Sequence, residues 1–317
     1  MKVISIYNKK GGVGKTIVAV NLAATIAAMK DEAGAPRYRV LLIDLDPQEN
    51  ASDSLEVGTV FREGTPEEKN DLGKVLTDRN TTLEMVTKPF VLKTWLPTNA
   101  EGKDVFERDV IDDIDDEGNE IIKIRKFKET VINNFRVIPA YANIGQESLD
   151  DDEDVFRSKL DPFFLSKRLK EIESKYDYVI LDCAPSWDRV SKMGILASDQ
   201  IIIPLTPGPY EQVGVIRVKI QLEMLKKQYG KKPELIFAVM NKVRGSVEGH
   251  LKYFRKNHKA LGGLVADTGI PYAEKVLDSA SDGIPFAFGG KRFHDMAEVF
   301  SDLFKEVQQR YESGVLK

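Results

Sequence analysis

A nine-residue stretch near the start, Asn8-Lys9-Lys10-Gly11-Gly12-Val13-Gly14-Lys15-Thr16, constrains the fold more than any other part of the chain. It lies between an apolar run at 3–7 and a helical pattern at 16–30, whose apolar positions include Val20, Ala24, Ala27 and Ala28. The stretch fits G-x-x-x-x-G-K-S/T only with Lys9 where the first glycine would stand, so it is a variant of that pattern. Glycines let backbone N–H groups close around phosphate oxygens with no Cβ in the way. A helix opening at Thr16 adds unpaired N–H groups and a positive dipole end. Lys15 then supplies a charge for the β- and γ-phosphates, and the Thr16 hydroxyl is a Mg²⁺ ligand. The alternative is a glycine-rich turn that only links strand to helix. The Gly-Lys-Thr ending in a strand–turn–helix context weighs against it.

Apolar runs recur at 40–43, 136–138, 178–181, 200–204 and 235–240, most of them near-continuous in Val, Ile and Leu. Strands covered on both faces read that way, which implies a mostly parallel sheet. Helical patterns at 211–229 and 293–311 lie among them. The expected fold class is α/β, a doubly wound, mostly parallel sheet with helices on both faces, in a single domain over 1–317. Residues 97–130 depart from the alternation. Two β-like runs, 110–114 and 120–125, flank Asp116-Glu117-Gly118-Asn119 and suggest a β-hairpin in a polar insertion. The run from Asp113 to Gly118 resembles the start of a calcium loop, but Ile124 stands where the bidentate Glu would be needed, so a solvated insertion is expected.

The net charge is −4, yet the charge is unevenly spread. From Arg217 to Lys259 there are 12 Lys/Arg against 3 Glu, while from Glu101 to Glu120 there are 10 acids against 2 bases. A second acidic run follows at Asp150-Asp151-Asp152-Glu153-Asp154. Local field decides what a surface attracts, so the basic stretch bears more on partners than the sum does. Cys183 is the single cysteine, which excludes an internal disulfide and is read as a packed thiol. His250, His258 and His294 have no metal-ligand spacing. No apolar run approaches the ~18 residues that span a bilayer, and the expected location is cytoplasmic.

The segment Lys10-Gly11-Gly12-Val13-Gly14-Lys15-Thr16 resembles the deviant Walker A motif of the ParA/MinD family, KGGxGKT/S. Asp44-Leu45-Asp46-Pro47-Gln48, at the end of an apolar run, resembles that family's switch I, although Glu49-Asn50-Ala51 follows where Gly-Asn-Ala is usual. The run from Tyr178 to Asp182, followed by Cys183-Ala184-Pro185, resembles its Walker B and switch II. The resemblance implies ATP and Mg²⁺ as cofactors and two ATP molecules sandwiched in a homodimer. It implies that Lys10 reaches the partner's nucleotide, that Lys15 and Lys10 serve catalysis, and that Asp46 positions the attacking water. Thr16, Asp44 and Asp182 would serve the metal. The ATP-binding set would be Lys10, Gly11, Gly12, Val13, Gly14, Lys15, Thr16 and Ile17, with Asn241 at the base and Pro271 near the adenine.

Within the family, the last helix has Phe293, Met296, Val299, Phe300, Leu303, Phe304, Val307 and Tyr311 on one stripe and mixed charges opposite. A membrane-surface helix would be rich in Lys/Arg there, so this one reads as core packing, with no membrane partner. The resemblance is to ParA-type partition ATPases. It implies weak hydrolysis stimulated by a ParB-like partner, nucleoid association when ATP is bound, and nonspecific DNA binding. Arg217, Lys219, Arg244, Lys252, Arg255 and Lys256 would carry that binding. Two alternatives stay open: a positioning ATPase for a protein cargo such as a carboxysome or chemoreceptor cluster, and a metabolic P-loop enzyme such as a dethiobiotin synthetase-like ligase.

Overall fold

A computed structural model of the protein describes residues 1–57, 71–96, 100–101, 104–114, 120–140, 161–208, 210–231 and 233–313. Eight strands form one sheet: β1 Lys2–Ile6, β2 Val40–Asp44, β3 Lys88–Leu96, β4 Phe106–Ile114, β5 Glu120–Ile138, β6 Tyr178–Asp182, β7 Gln200–Leu205 and β8 Leu235–Met240. The order is β3-β5-β2-β6-β1-β7-β8, with β4 paired to β5. From β5 to β8 every neighbouring pair is parallel.

Alternation along these strands sends side chains to two apolar faces. Ile4, Ile6, Leu42 and Ile180 face one core, whereas Val3, Leu41, Ile43 and Val179 face the other. Helix α1, Lys15–Ala28, and the final helix, His294–Ser313, cover the first face, where Phe300, Leu303, Phe304 and Val307 are buried. The final helix therefore turns most of its apolar stripe into the core. Helices Arg189–Ala197, Glu211–Tyr229 and Val247–Asn257 pack on the second face. With both faces covered, the strands are read as unbroken hydrophobic runs for the reason expected. No helix among the described residues is long and apolar enough to cross a membrane.

The far edge differs from the sequence reading. Residues 136–138 are only the end of β5, a strand of 19 residues that also includes 120–130. Its last residues pair in parallel with β2, while its earlier part pairs antiparallel with β3 and β4. Phe127 is matched to both Trp95 of β3 and Phe106 of β4, so those strands lie on opposite edges of β5 and make a three-stranded ribbon beyond the parallel sheet. Ile124 lies within this strand pairing, opposite Asp109, which excludes helices flanking a calcium loop. The turn Asp116–Asn119 and the acidic run Asp150–Asp154 lie outside the described residues.

Candidate nucleotide site

β1 leads into a loop that ends at Gly14, the residue before α1. Gly12 and Gly14 hold left-handed backbone, with φ of +73° and +85°, a region costly for residues with a Cβ. Nothing lies within 4 Å of a Cβ placed on Gly11 or Gly12, so the loop's upper side is open. Its underside is anchored. Asn8 donates through Nδ2 to the Pro204 carbonyl at 2.8 Å and accepts the Lys10 N–H at 3.0 Å. Asn241, just beyond β8, donates through Nδ2 to the Val13 carbonyl at 2.8 Å and accepts the Lys242 N–H at 2.8 Å. A Cβ on Gly14 would stand 2.1 Å from that Asn241 nitrogen. The cradle is thus preorganised from β7 and β8, the two strands that follow β1 in the sheet order.

A cleft of about 480 Å³ opens above the loop. One end is formed by Gly11, Gly12, Gly14, Lys15, Thr16 and Asp46, with Ile17 on its wall. The other end is formed by Val20, Asn21, Val276, Ser279, Ala280 and Pro285. Asn21 holds the two walls together: its Oδ1 accepts the Phe286 N–H at 2.9 Å and its Nδ2 donates to the Ile17 carbonyl at 3.0 Å. Lys15 is 8% exposed, and burial lowers the pKa of its ammonium while the charges of Asp182 and Asp46 oppose the shift. Asp46 accepts the Gln48 N–H through Oδ1 at 3.1 Å, which fixes its rotamer at the cleft edge.

Asp44 and Asp182 are matched across β2 and β6, and both are buried. Their surroundings differ. Asp44 accepts the Asp46 N–H at 3.0 Å and the Ser52 N–H and hydroxyl at 2.9 and 2.7 Å, and burial pushes its carboxyl up to about 7. Both Asp44 oxygens accept bonds from the chain, which ties the 46–52 segment to the end of β2. Neither oxygen of Asp182 has a hydrogen-bond partner in ordinary geometry. Burial, then the neighbouring Asp44 charge, holds its pKa well above the carboxylate range, while the nearby Thr16 hydroxyl and Lys15 ammonium act the other way. An orphaned buried carboxylate beside a threonine hydroxyl is a polar group in need of a partner, and it fits a hydrated cation held at Thr16.

Of the residues singled out from sequence, Gly11, Gly12, Gly14, Lys15, Thr16, Ile17 and Asp46 meet in the cleft. Lys10 is exposed and stands outside the lining, and Val13 is buried beneath the loop. Pro271 lines a separate hollow with Tyr272, Lys275 and Met296. Sequence reasoning missed Lys242, Asn21 and the wall at 276–285. Lys242 follows Asn241 with φ of 56°, a left-handed backbone on a residue other than glycine. No local pattern signals such a position.

Arg217 and Lys219 are exposed on the Glu211–Tyr229 helix, and Lys252 and Lys256 are exposed on the Val247–Asn257 helix. Arg244 is exposed with its guanidinium 4.4 Å from the Tyr272 ring centre. Arg255 is differently placed. It bonds the Val265 and Ala266 carbonyls, both at 3.2 Å, and pairs with Asp267 at 2.5 Å, which ties its helix to the next segment. Cys183 is fully buried, and burial pushes its thiol pKa up.

A parallel sheet whose first strand–helix turn is a glycine-rich phosphate loop, with carboxylates at the ends of nearby strands, defines the P-loop NTPase fold. Residues 1–236 match the AAA domain family, and the chain belongs to it and to the ParA/MinD family. The sporulation initiation inhibitor protein Soj of Bacillus subtilis (strain 168) is 28% identical over 313 residues, which cover 96% of this chain and 98% of Soj. The chromosome partitioning protein ParA of Caulobacter vibrioides is 26% identical over 289 residues, covering 90% and 86%. Among solved structures, the ATP complex of a Cyanothece McdA variant matches with a TM-score of 0.64 at 19% identity, covering 97% and 96% of the two chains. At that identity the likeness speaks for the fold.

Proposed function

We propose that this chain is a ParA-type ATPase: it binds ATP with Mg²⁺, closes into a nucleotide-sandwiched homodimer, binds DNA without sequence preference, and segregates a DNA cargo with a ParB-like partner in the cytoplasm. The observation that carries this reading is the convergence of Lys15, Thr16 and Asp46 on one cleft, with the unpartnered Asp182 carboxylate beside Thr16. Near full-length similarity to Soj and to a protein named for chromosome partitioning supports it.

Among the described residues no three His, Cys, Asp or Glu side chains are placed to hold a metal. Mg²⁺ held by one hydroxyl, phosphate oxygens and water needs no such cluster. Thr16 would be its ligand from the chain, and Asp182 would accept hydrogen bonds from its waters. When bound, the ion neutralises charge on the phosphates. The open N–H groups of the loop and the buried Lys15 would hold the phosphates. Asp46 would orient the attacking water through the oxygen not bonded to Gln48. Lys10, exposed and outside its own cleft, is free to extend to a nucleotide across a dimer, where a further cation offsets the repulsion of two facing triphosphates.

The exposed bases of the two helices on one sheet face would neutralise DNA phosphates, so binding should weaken steeply with salt and vary little with sequence. The test is ATP hydrolysis with and without duplex DNA, together with anisotropy on two unrelated duplexes in ATP and in ADP. Slow hydrolysis and DNA binding in ATP that is lost in ADP are expected. Hydrolysis indifferent to DNA, with no binding at low salt, would move the assignment to a protein-cargo or metabolic ATPase.

A further inference from the structure

The ribbon made by β3, β4 and β5 is joined to the switch I segment by an ion pair that the nucleotide chemistry above does not use. Lys93, in β3, pairs through Nζ with Glu56 Oε2. The two side chains are only 17% and 10% exposed. On the ribbon side, the Lys93 ammonium also lies 4.9 Å from the Phe127 ring centre. Phe127 in turn packs between Trp95 and Phe106, at 5.5 and 5.7 Å between ring centres. On the other side, Glu56 rests against Gly283: a Cβ there would come within 3.2–3.3 Å of Glu56 Cγ, Cδ and Oε1.

Glu56 sits at the end of a continuous run of backbone hydrogen bonds that begins at Asp46. The Glu49 N–H donates to the Asp46 carbonyl at 2.9 Å, the Asp53 N–H to the Glu49 carbonyl at 2.8 Å, and the Glu56 N–H to the Asp53 carbonyl at 3.0 Å. The short helix Asn50–Ser54 within this run carries Asn50 and Ser54 of the cleft wall. Its Ser52 is held by Asp44 on one side and accepts the Ala140 N–H, just beyond β5, at 3.0 Å. The segment bearing Asp46 is therefore fastened twice, at Ser52 by Ala140 just past the parallel end of β5 and at Glu56 by β3 of the ribbon. Glu56 keeps a left-handed backbone, φ 55°, although it is not glycine. Such strain, of order 1–3 kcal/mol, persists where the surroundings over-determine it and clusters at switch regions. A mostly buried ion pair adds little net stability, yet breaking it is costly, so the pair holds its two elements in one arrangement.

We propose that Lys93 and Glu56 are positioning residues for ATP hydrolysis, their ion pair setting where the segment carrying Asp46 stands over the P-loop. This rests on the ATPase reading above. Neither residue lines the cleft, so the pair acts on the angle of Asp46 and not on the hold on phosphates. A displacement of about 1 Å in a group that orients the nucleophile costs up to about a hundredfold in rate.

The test compares wild type, Lys93→Met, Lys93→Arg, Glu56→Gln and the charge swap Lys93→Glu with Glu56→Lys. It measures kcat and KM for ATP, and separately the equilibrium Kd for a nonhydrolysable ATP analogue with Mg²⁺. Lys93→Met and Glu56→Gln should lower kcat by about tenfold or more, with analogue affinity close to wild type. Lys93→Arg should keep most of the rate, and the swap should recover part of it. Unchanged kcat in Lys93→Met would overturn the proposal. So would loss of rate and of analogue binding by one common factor, which is what a merely structural role produces. If Lys93→Met does not fold, Glu56→Asp decides: it keeps the charge but withdraws the carboxylate by one methylene, and an unaltered kcat overturns the proposal. A wild type that binds ATP and never hydrolyses it overturns the ATPase reading and this inference together, whereas active wild type with unaffected variants overturns the inference alone.

Discussion

Replacing Asp182 with asparagine should stabilise the nucleotide-free protein while removing its Mg²⁺-dependent hold on ATP. Asp182 is 1% exposed, lacks a hydrogen-bond partner and faces Asp44 across neighbouring strands. A buried unsatisfied polar group costs about 1–3 kcal/mol, and more when charged. Asparagine keeps the shape and removes the charge. With an unfolding entropy of roughly 2.1 cal/mol/K per residue over a chain of this length, that gain corresponds to a Tm increase of roughly 2–5 °C. The sign with pH follows from the raised pKa of Asp182. Its contribution to stability is fully present below the unfolded carboxyl pKa and is lost as pH rises through the folded value, so wild type weakens with rising pH. The advantage of Asp182→Asn should be larger at pH 8 than at pH 5.5. Calorimetry of both proteins, with and without ATP and Mg²⁺, supplies the assay. Wild type should gain about 2.7 kcal/mol at a hundredfold excess of ligand over Kd, and the variant should gain little. A variant less stable than wild type at pH 8 without ligand, or one that Mg²⁺ and ATP stabilise equally, would refute the reasoning.

Gly14→Ala should disrupt the phosphate loop, because its Cβ would strike Asn241 Nδ2 and its φ is +85°; a fall in ATP affinity of about tenfold or more, with about 1–2 kcal/mol of lost stability, checks this by titration and melting. At Glu49, with φ of 55°, Glu49→Gly should be more stable than Glu49→Ala by about 1 kcal/mol, measured by denaturant unfolding; equal stability would mean the left-handed backbone carries no strain there. Charge reversal at Lys252 and Lys256 should flatten the salt dependence of DNA binding by about one unit of log–log slope per contact and leave Tm nearly unchanged. Arg255→Ala should instead lower Tm, since Arg255 bonds two carbonyls and Asp267.

The parts of the fold that were legible are those whose cause is local. A glycine-rich turn ending in Lys15-Thr16 needs a strand before it and a helix after it, and unbroken runs such as 178–181 follow from burial on both sheet faces. The ribbon was only half legible. In β5, Phe127 stands between Lys126 and Lys128, and in β3, Lys93 shares a face with Trp95, so apolar and charged side chains are mixed and the stretch resembles a solvated excursion. That 120–130 and 136–138 form one strand depends on pairing with β3, which no local pattern encodes. The cleft's second wall comes from 276–285, brought to α1 by the Asn21 bond to Phe286, more than 250 residues apart in sequence. The Lys93–Glu56 pair is likewise a product of packing. Placement in the cleft was legible where a motif fixes it, as at Lys15 and Asp46, and not where the neighbours decide. Asp44 and Asp182 occupy like positions at strand ends, yet Ser52 partners only the first.

The central claim, that ATP switches this chain into a dimer which hydrolysis dissolves, is tested most directly by the mass of Asp46→Ala in solution. Light scattering after size exclusion, in ATP with Mg²⁺, should give twice the 35.6 kDa of the single chain. The same variant in ADP, and Asp46→Ala combined with Lys10→Ala in ATP, should give the single-chain mass. A monomer in ATP, or a dimer that persists without Lys10, would contradict the account.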